Sequence, residues 1–171
     1  MQAVGQVLSS GALPSLRDSH WLIEEQERIW TDRFADVSRV NTIEISFAPS
    51  WKSRLGVISL SNDEQTSYIG INALLRLPEV PSLIAQITIA HELVHYAHGF
   101  GSPLTRHHRH PHRGRIVERE LFARGFREDF LMYREWIDNN WFDFYDQVAV
   151  NPSVIVPQRV AGNPRESYQS R

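Results

Sequence analysis

Residues 82–98, with the sequence SLIAQITIAHELVHYAH, are the stretch from which the rest of the fold can be inferred. Apolar residues lie most of the way round a helix drawn on this stretch, which predicts a helix buried on most of its sides. Pro81 suits the first turn of such a helix, and Gly99 and Gly101 are typical of its end. We therefore expect this helix to lie in the middle of the fold.

The same stretch contains the motif His91-Glu92-Leu93-Val94-His95. Histidines four positions apart on a helix face the same way, with Cβ atoms about 5–6 Å apart, so both imidazoles can reach one zinc ion. A glutamate directly after the first ligand can lie beside the metal without binding it and accept a proton from water. Burying two unpaired imidazoles and a carboxylate is costly, which favours a zinc site over two ordinary surface histidines. We expect one Zn²⁺ per chain and a general base at Glu92.

A catalytic zinc site also needs a third protein ligand and an open position for water. Seven of the eight histidines lie between His91 and His112. We favour His112, which stands just before a predicted helix, as the third ligand. His98 continues the face of the first helix but lies nearly two turns beyond His91. Glu118 and Glu120, on the next helix, are the acidic alternatives.

The chain before this helix predicts one helix and a small sheet. Apolar residues at helical spacing predict a helix over about 19–37. Strict alternation over 42–48 predicts a half-buried strand. Two further strands are predicted at 54–61 and 67–72, and the polar run at 61–65 is a plausible hairpin turn between them. A helix, three strands, a buried helix and further helices make an α+β fold.

Two more helices are predicted beyond a loop rich in histidine and arginine. The first covers about 115–124 and ends at Gly125. In the second, apolar residues recur at steps of three and four, which we interpret as core packing rather than a binding surface. That stripe consists of Phe130, Tyr133, Ile137, Trp141, Phe144 and Val148.

Length and composition predict one domain with loose ends. The chain has 171 residues, 42% of them hydrophobic, which is ordinary for a globular domain. We expect a loose N-terminal arm at 1–18, the domain at 19–150, and a tail at 151–171 with one extended segment at 154–156. The chain has no cysteine, which excludes a disulfide scaffold, a thiolate zinc site and a cysteine nucleophile.

The net charge and the hydropathy of the chain argue against a nucleic-acid-binding or membrane-spanning protein. The net charge of −2 gives no overall basic field of the kind that nucleic-acid-binding proteins carry. No apolar run reaches the ~18–20 residues that span a bilayer, so no membrane partner is expected. The N-terminus lacks the charge and apolar stretch of a secretory signal, and we expect a cytoplasmic protein.

Two groups of residues, in order along the chain, carry a resemblance to a known family. They are Arg54-Leu55-Gly56, Ile69-Gly70-Ile71-Asn72 and Ala73-Leu74-Leu75 before the central helix, and then the His91–His95 motif, His112, Ile116 and Leu121. Together they resemble the SprT-like metallopeptidase domain over about residues 20–130. Since there is no cysteine, the resemblance is to the minimal domain without a C-terminal zinc ribbon.

The resemblance implies both a fold and a site. The fold would be zincin-like or minigluzincin-like: a sheet of about three strands packed against the motif helix, with flanking helices. His91, His95 and His112 would hold zinc, and Glu92 would be the general base. The protein would then be a zinc metalloprotease that cleaves peptide bonds of a protein or peptide substrate with a zinc-activated water.

Several features of such a mechanism stay open at this stage. A hydrogen-bond donor is needed for the oxyanion. A peptide could lie along the edge of the sheet, for which we propose the strand at 67–72. The oxyanion-donor candidates are Tyr68, Tyr133, His108 and His110.

Two other functions fit the same residues. A zinc site activates water without identifying the bond that is cleaved, so the protein could be a zinc hydrolase of a non-peptide bond. It could instead be a catalytically weak module that keeps zinc for structure and binds protein or DNA. The loop from Arg106 to Arg115 has four arginines and could make a weak nucleic-acid contact, although a solvated loop is the simpler interpretation.

Overall fold

The computed structural model describes residues 15–149 and confirms the α+β class, with one mixed three-stranded sheet and several helices. The predicted segment at 154–156, the tail at 151–171 and positions 1–14 of the predicted arm lie outside the described residues. The elements are α1 (Ser19–Arg33), β1 (Thr42–Ala48), β2 (Gly56–Leu60), β3 (Thr66–Asn72), α2 (Ser82–Ala97), α3 (Ile116–Ala123), α4 (Arg127–Trp136) and α5 (Phe142–Ala149), with short 3₁₀ turns at Ala73–Arg76 and Arg113–Arg115 and a π turn at Ile137–Trp141.

The first helix begins at a side-chain cap and ends earlier than predicted. The Asp18 carboxylate accepts a hydrogen bond from the Trp21 amide at 2.9 Å, which satisfies one free N–H of the first turn. The helix ends at Arg33 rather than near residue 37, because Phe34 leaves the helical conformation at φ −126°. Phe34 remains fully buried, while the chain beyond it turns toward α3.

Arg17, which the sequence analysis placed in the loose arm, is anchored. Its guanidinium donates hydrogen bonds to the carbonyls of Leu75, Leu77 and Val80 at 2.8–2.9 Å. These carbonyls belong to the segment that leads into α2, so Arg17 attaches the start of α1 to that segment.

The order of strands corrects one prediction. The sheet has the order β1-β3-β2, with β1 parallel and β2 antiparallel to β3. The strand at 67–72 is therefore central and cannot receive a peptide at an edge. Ile69 and Ile71 are buried on it, which suits the middle of the sheet. A Cβ at Gly70 would lie 3.0 Å from Ala48 Cβ and 3.1 Å from Val57 Cγ1, so the neighbouring strands pack closely there. The predicted hairpin between β2 and β3 is confirmed.

Helix α2 lies at the centre, as its sequence predicts, and packs against α1, α3, α4, β2 and β3. Even its tyrosine is fully buried: the Tyr96 hydroxyl donates to Asn41 and accepts from the Val40 amide at 2.9 and 3.1 Å. The chain turns away at Gly99, at φ +76°, where a Cβ would lie 2.5 Å from the Leu104 carbonyl oxygen. The loop after α2 is therefore held close to the helix end.

A buried asparagine holds the loop before β2. The Asn72 side chain is fully buried and donates to the carbonyls of Trp51 at 2.7 Å and Arg54 at 2.8 Å. The Oδ1 atom of the same side chain accepts a hydrogen bond from the Leu74 backbone amide at 3.1 Å. One side chain thus fixes two points of the 51–54 loop against the end of the central strand.

The predicted long helix consists of α4 and α5, joined without a break by the π turn. Trp141 in this turn is buried and donates its indole N–H to the Lys52 carbonyl at 2.7 Å. Lys52 also pairs with Asp146 of α5 at 2.6 Å. The last helix is thereby attached to the same loop that Asn72 holds. None of the helices within residues 15–149 has the length and apolar content needed to cross a bilayer.

Candidate metal centre

Three histidines meet at the surface of α2. His91 and His95 lie on successive turns of the helix, and His112 comes from the loop just before the Arg113–Arg115 turn. One ring nitrogen from each residue lies within 4.8 Å of the other two, so the three histidines lie close enough to hold a metal ion. The Nε2 atoms of His91 and His95 are 3.1 Å apart. Two ligands of a tetrahedral zinc ion lie roughly 3.3 Å apart, so this pair fits such an ion.

The burial of the pair on α2 keeps the imidazoles neutral. His95 is buried and His91 is half-buried, whereas His112 is exposed. Burial, with a smaller contribution from the neighbouring imidazoles, lowers the pKa of His91 to about 4 and that of His95 to about 3. At neutral pH both rings therefore have a free lone pair, which is the form that binds metals.

Glu92 lies beside this cluster, directly against the start of β2. It is only 5% exposed, and burial raises the pKa of its carboxyl to about 8, with the positive charge of Arg54 acting in the opposite direction. A Cβ at Gly56 would lie 2.6 Å from Glu92 Oε1 and 2.7 Å from Thr88 Cγ2. Gly56 is therefore the residue that lets β2 pass this close to the carboxyl group. In the sequence, Gly56 belongs to one of the elements that carry the family resemblance, but no sequence pattern indicates its role beside Glu92.

The three histidines and Glu92 line one cleft of about 560 Å³. Residues 52–58 form one side of it, and the α4–α5 helix forms another. The α4–α5 residues in the lining are Tyr133, Ile137, Trp141 and Phe142. All six residues of the α4–α5 stripe lie in the core or pack against it, as predicted, and three of them, Tyr133, Ile137 and Trp141, also line the cleft.

Tyr133 is the oxyanion-donor candidate that the structure brings to the cleft. Burial raises the pKa of its hydroxyl to about 12 and the Glu92 charge adds to this, while a hydrogen bond with Thr88 opposes it. The hydroxyl therefore keeps its proton at neutral pH and can donate it in a hydrogen bond. The other candidates, Tyr68, His108 and His110, are not among the residues that line the cleft.

His98, an alternative third ligand, belongs to a different group of side chains. Its Nε2 lies 3.8 Å from a carboxylate oxygen of Glu120, and its ring lies 5.0 Å from that of His108. Glu120, the second alternative, accepts a hydrogen bond from Arg124 at 2.8 Å. Both residues line a second cavity.

Glu118, the remaining alternative, is engaged on the other side of α3. Its carboxylate pairs with Arg115 and lies 3.7 Å from Arg134. Among the candidates for the third ligand, His112 is the one that the structure places with His91 and His95.

In the loop from Arg106 to Arg115, some arginines contact other side chains and others extend into solvent. The Arg106 guanidinium lies over the Phe100 ring at 4.5 Å, and Arg115 pairs with Glu118. Arg109 and Arg113 are exposed. Contact of this loop with a nucleic acid stays a prediction.

Comparisons of the chain with protein-family models, curated proteins and solved structures found no match. The resemblance to SprT-like metallopeptidases stays a prediction from sequence motifs. What the site can do follows from its own residues: three imidazoles around one point, a buried carboxyl beside them, and a cleft that admits a ligand.

Replacing His112 should remove or weaken metal binding. We expect untagged protein to hold one zinc per chain by elemental analysis, and His112→Ala to bind zinc at least ~10-fold more weakly, because two ligands remain. His110→Ala is the matched control, since His110 lies two residues away and outside the cluster. Unchanged zinc affinity in His112→Ala would assign the third ligand to another residue.

Glu92 should give the metal-free protein a specific pH dependence. The folded carboxyl keeps its proton up to about pH 8, whereas the unfolded one releases it near its ordinary pKa of 4.5. The folded state binds more protons between these values, so this group lowers the free energy of unfolding as pH rises. Glutamine has no such proton, so Glu92→Gln should become more stable relative to wild type across this window. Urea unfolding with a chelator present tests this, and parallel pH curves would contradict it.

Proposed function

We propose that this protein is a zinc-dependent metallopeptidase, SprT-like and zincin-like, that hydrolyses peptide bonds. The observation that supports it most directly is the meeting of His91, His95 and His112 beside the buried Glu92 carboxyl in an open cleft. Three protein ligands leave the fourth position of a tetrahedral zinc ion for water, which is the arrangement of catalytic rather than structural sites.

The residues of the site divide the chemistry between them. His91, His95 and His112 would hold the zinc ion, which when bound supplies a Lewis acid that lowers the pKa of water and polarises a carbonyl. In the zinc-bound protein the nearby positive ion would favour the ionised form of Glu92. This carboxylate, which lies against Gly56 at the edge of the cleft, would accept a proton from the attacking water. It then delivers this proton to the leaving amine.

Tyr133 would stabilise the oxyanion. It lines the same cleft as Glu92, from α4. A protonated phenol donates a hydrogen bond to the negative oxygen that forms as water attacks the carbonyl.

An extended peptide would pair with β2. The central position of β3 leaves β2 as the edge strand on this side of the sheet, and Gly56, Val57 and Ile58 line the cleft. Backbone N–H and C=O groups of an edge strand bind an extended chain by strand addition. The peptide would then run past Glu92, because Gly56 lies against that carboxyl.

Glu92→Gln tests the proposed function. In a peptidase it should lower kcat by at least ~100-fold, since a general base contributes about 10²–10⁴-fold, and it should retain zinc and folding. Cleavage of an unstructured protein such as casein, followed by mass spectrometry of the products, measures this. Wild-type protein that binds zinc but cleaves no peptide would favour a binding module or a hydrolase of another bond.

Tyr133→Phe tests the oxyanion assignment. Removing one oxyanion donor costs about 10²–10³ in kcat in a well-studied protease, so we expect a loss of kcat of up to this size with KM little changed. Tyr68→Phe is the control, because Tyr68 lies outside the cleft. Equal activity of the two variants would show that another group stabilises the oxyanion.

A further inference from the structure

Arg54 is a cation in the cleft that forms no salt bridge with an acidic residue among residues 15–149. It is exposed, it lines the cleft, and it makes no ion pair within residues 15–149. The other cation in the lining, Lys52, pairs with Asp146 at 2.6 Å. The acidic residue in the lining is the buried Glu92, whose carboxyl is influenced by the Arg54 charge but forms no salt bridge with it.

Hydrogen bonds fix the backbone of Arg54, and an aromatic ring lies against its exposed side chain. The buried Asn72 side chain donates to the Arg54 carbonyl at 2.8 Å and to the Trp51 carbonyl at 2.7 Å. The Arg54 guanidinium lies 5.6 Å from the centre of the Trp51 ring. A guanidinium over an aromatic ring on a fixed loop loses little freedom when it binds a ligand, which favours recognition.

The position of Arg54 relative to β2 indicates what it would meet. It precedes Gly56, the first residue of β2, so a peptide paired with β2 passes Arg54 as it leaves the strand. The α4–α5 side of the cleft is apolar and offers Ile137, Trp141 and Phe142. The cleft therefore presents one free positive charge on one side and apolar surface on another.

We propose that Arg54 is a specificity-determining residue that binds a carboxylate of the substrate near the scissile bond. A guanidinium binds a carboxylate through two parallel hydrogen bonds, which Asn, Gln or Lys side chains of a substrate cannot accept in the same way. This inference rests on the proposed peptidase function. The carboxylate can belong to an internal Asp or Glu side chain or to the end of the peptide.

The test uses peptides that differ at one position close to a mapped cleavage site, with Asp, Asn or Lys there. Wild-type protein should cleave the Asp peptide with kcat/KM about tenfold or more above that of the Lys peptide, as expected for a charge-assisted hydrogen bond. Arg54→Gln should abolish this preference and Arg54→Glu should reverse it. Arg113→Gln is the matched control, because Arg113 is exposed but does not line the cleft.

Two outcomes overturn the inference. One is a wild-type enzyme that does not distinguish the peptides, and the other is Arg54→Gln lowering kcat/KM equally for all of them. The second result would mean that Arg54 acts through Glu92, whose carboxyl feels its charge. Each peptide is also made with a free and an amidated C-terminus, so a preference that follows the free terminus identifies the terminal carboxylate as the ligand.

Binding separates failure of this inference from failure of the proposed function. Zinc-loaded Glu92→Gln protein should bind the Asp peptide more tightly than the Lys peptide by fluorescence anisotropy, and the double variant with Arg54→Gln should not. If wild-type protein cleaves no peptide, the binding assay uses one extended peptide with Asp, Asn or Lys at its centre, and the same preference there would support Arg54 and refute the peptidase function. Cleavage by wild-type protein without any preference between the peptides in either assay would support the peptidase function and refute the role of Arg54.

Discussion

The structure depends on one helix that must be buried and must also hold polar groups. Helix α2 contacts every major layer of the fold, yet Glu92 and His95 are almost as buried as the leucine and valine between them. Burying such groups is unfavourable unless they are partnered. A cleft opens along one side of the helix, and His112 reaches it from the loop after α2. The same helix therefore determines both how the core packs and where the residues of the site lie.

Much of this arrangement could be predicted from the sequence, because the signals are local. Periodicity located β1 at its observed bounds and the other elements to within a few residues, and the dense apolar pattern of 82–98 indicated a buried helix. The spacing of His91 and His95 defined two members of the histidine cluster on its own. His112 was a choice among several candidates, and the structure brings it, and not His98, Glu118 or Glu120, to the other two.

The rest could not be predicted, because it depends on contacts between residues far apart in the chain. The central position of β3 is set by pairing with two strands at once, and alternation within a strand does not say which neighbours it has. Gly56 lies before Glu92 in the sequence and Tyr133 lies after it, yet both lie near the Glu92 carboxyl in the fold. In the sequence, Asn72 is an ordinary polar residue at the end of a strand. Only the folded structure shows its hydrogen bonds to the 51–54 loop. The apolar stripe of α4–α5 has the same spacing whether it faces core or cleft.

The attachment of the last helix to the 51–54 loop has a consequence for how the protein is made. Lys52 meets Trp141 and Asp146 across about ninety residues of chain, and these contacts place the apolar side of the cleft. During synthesis the three histidines and Glu92 leave the ribosome well before Trp141 does, since chains emerge from the N-terminus onward. Because the contacts of Lys52 join residues about ninety positions apart, the apolar side of the cleft forms only when the last described helix has folded onto the 51–54 loop.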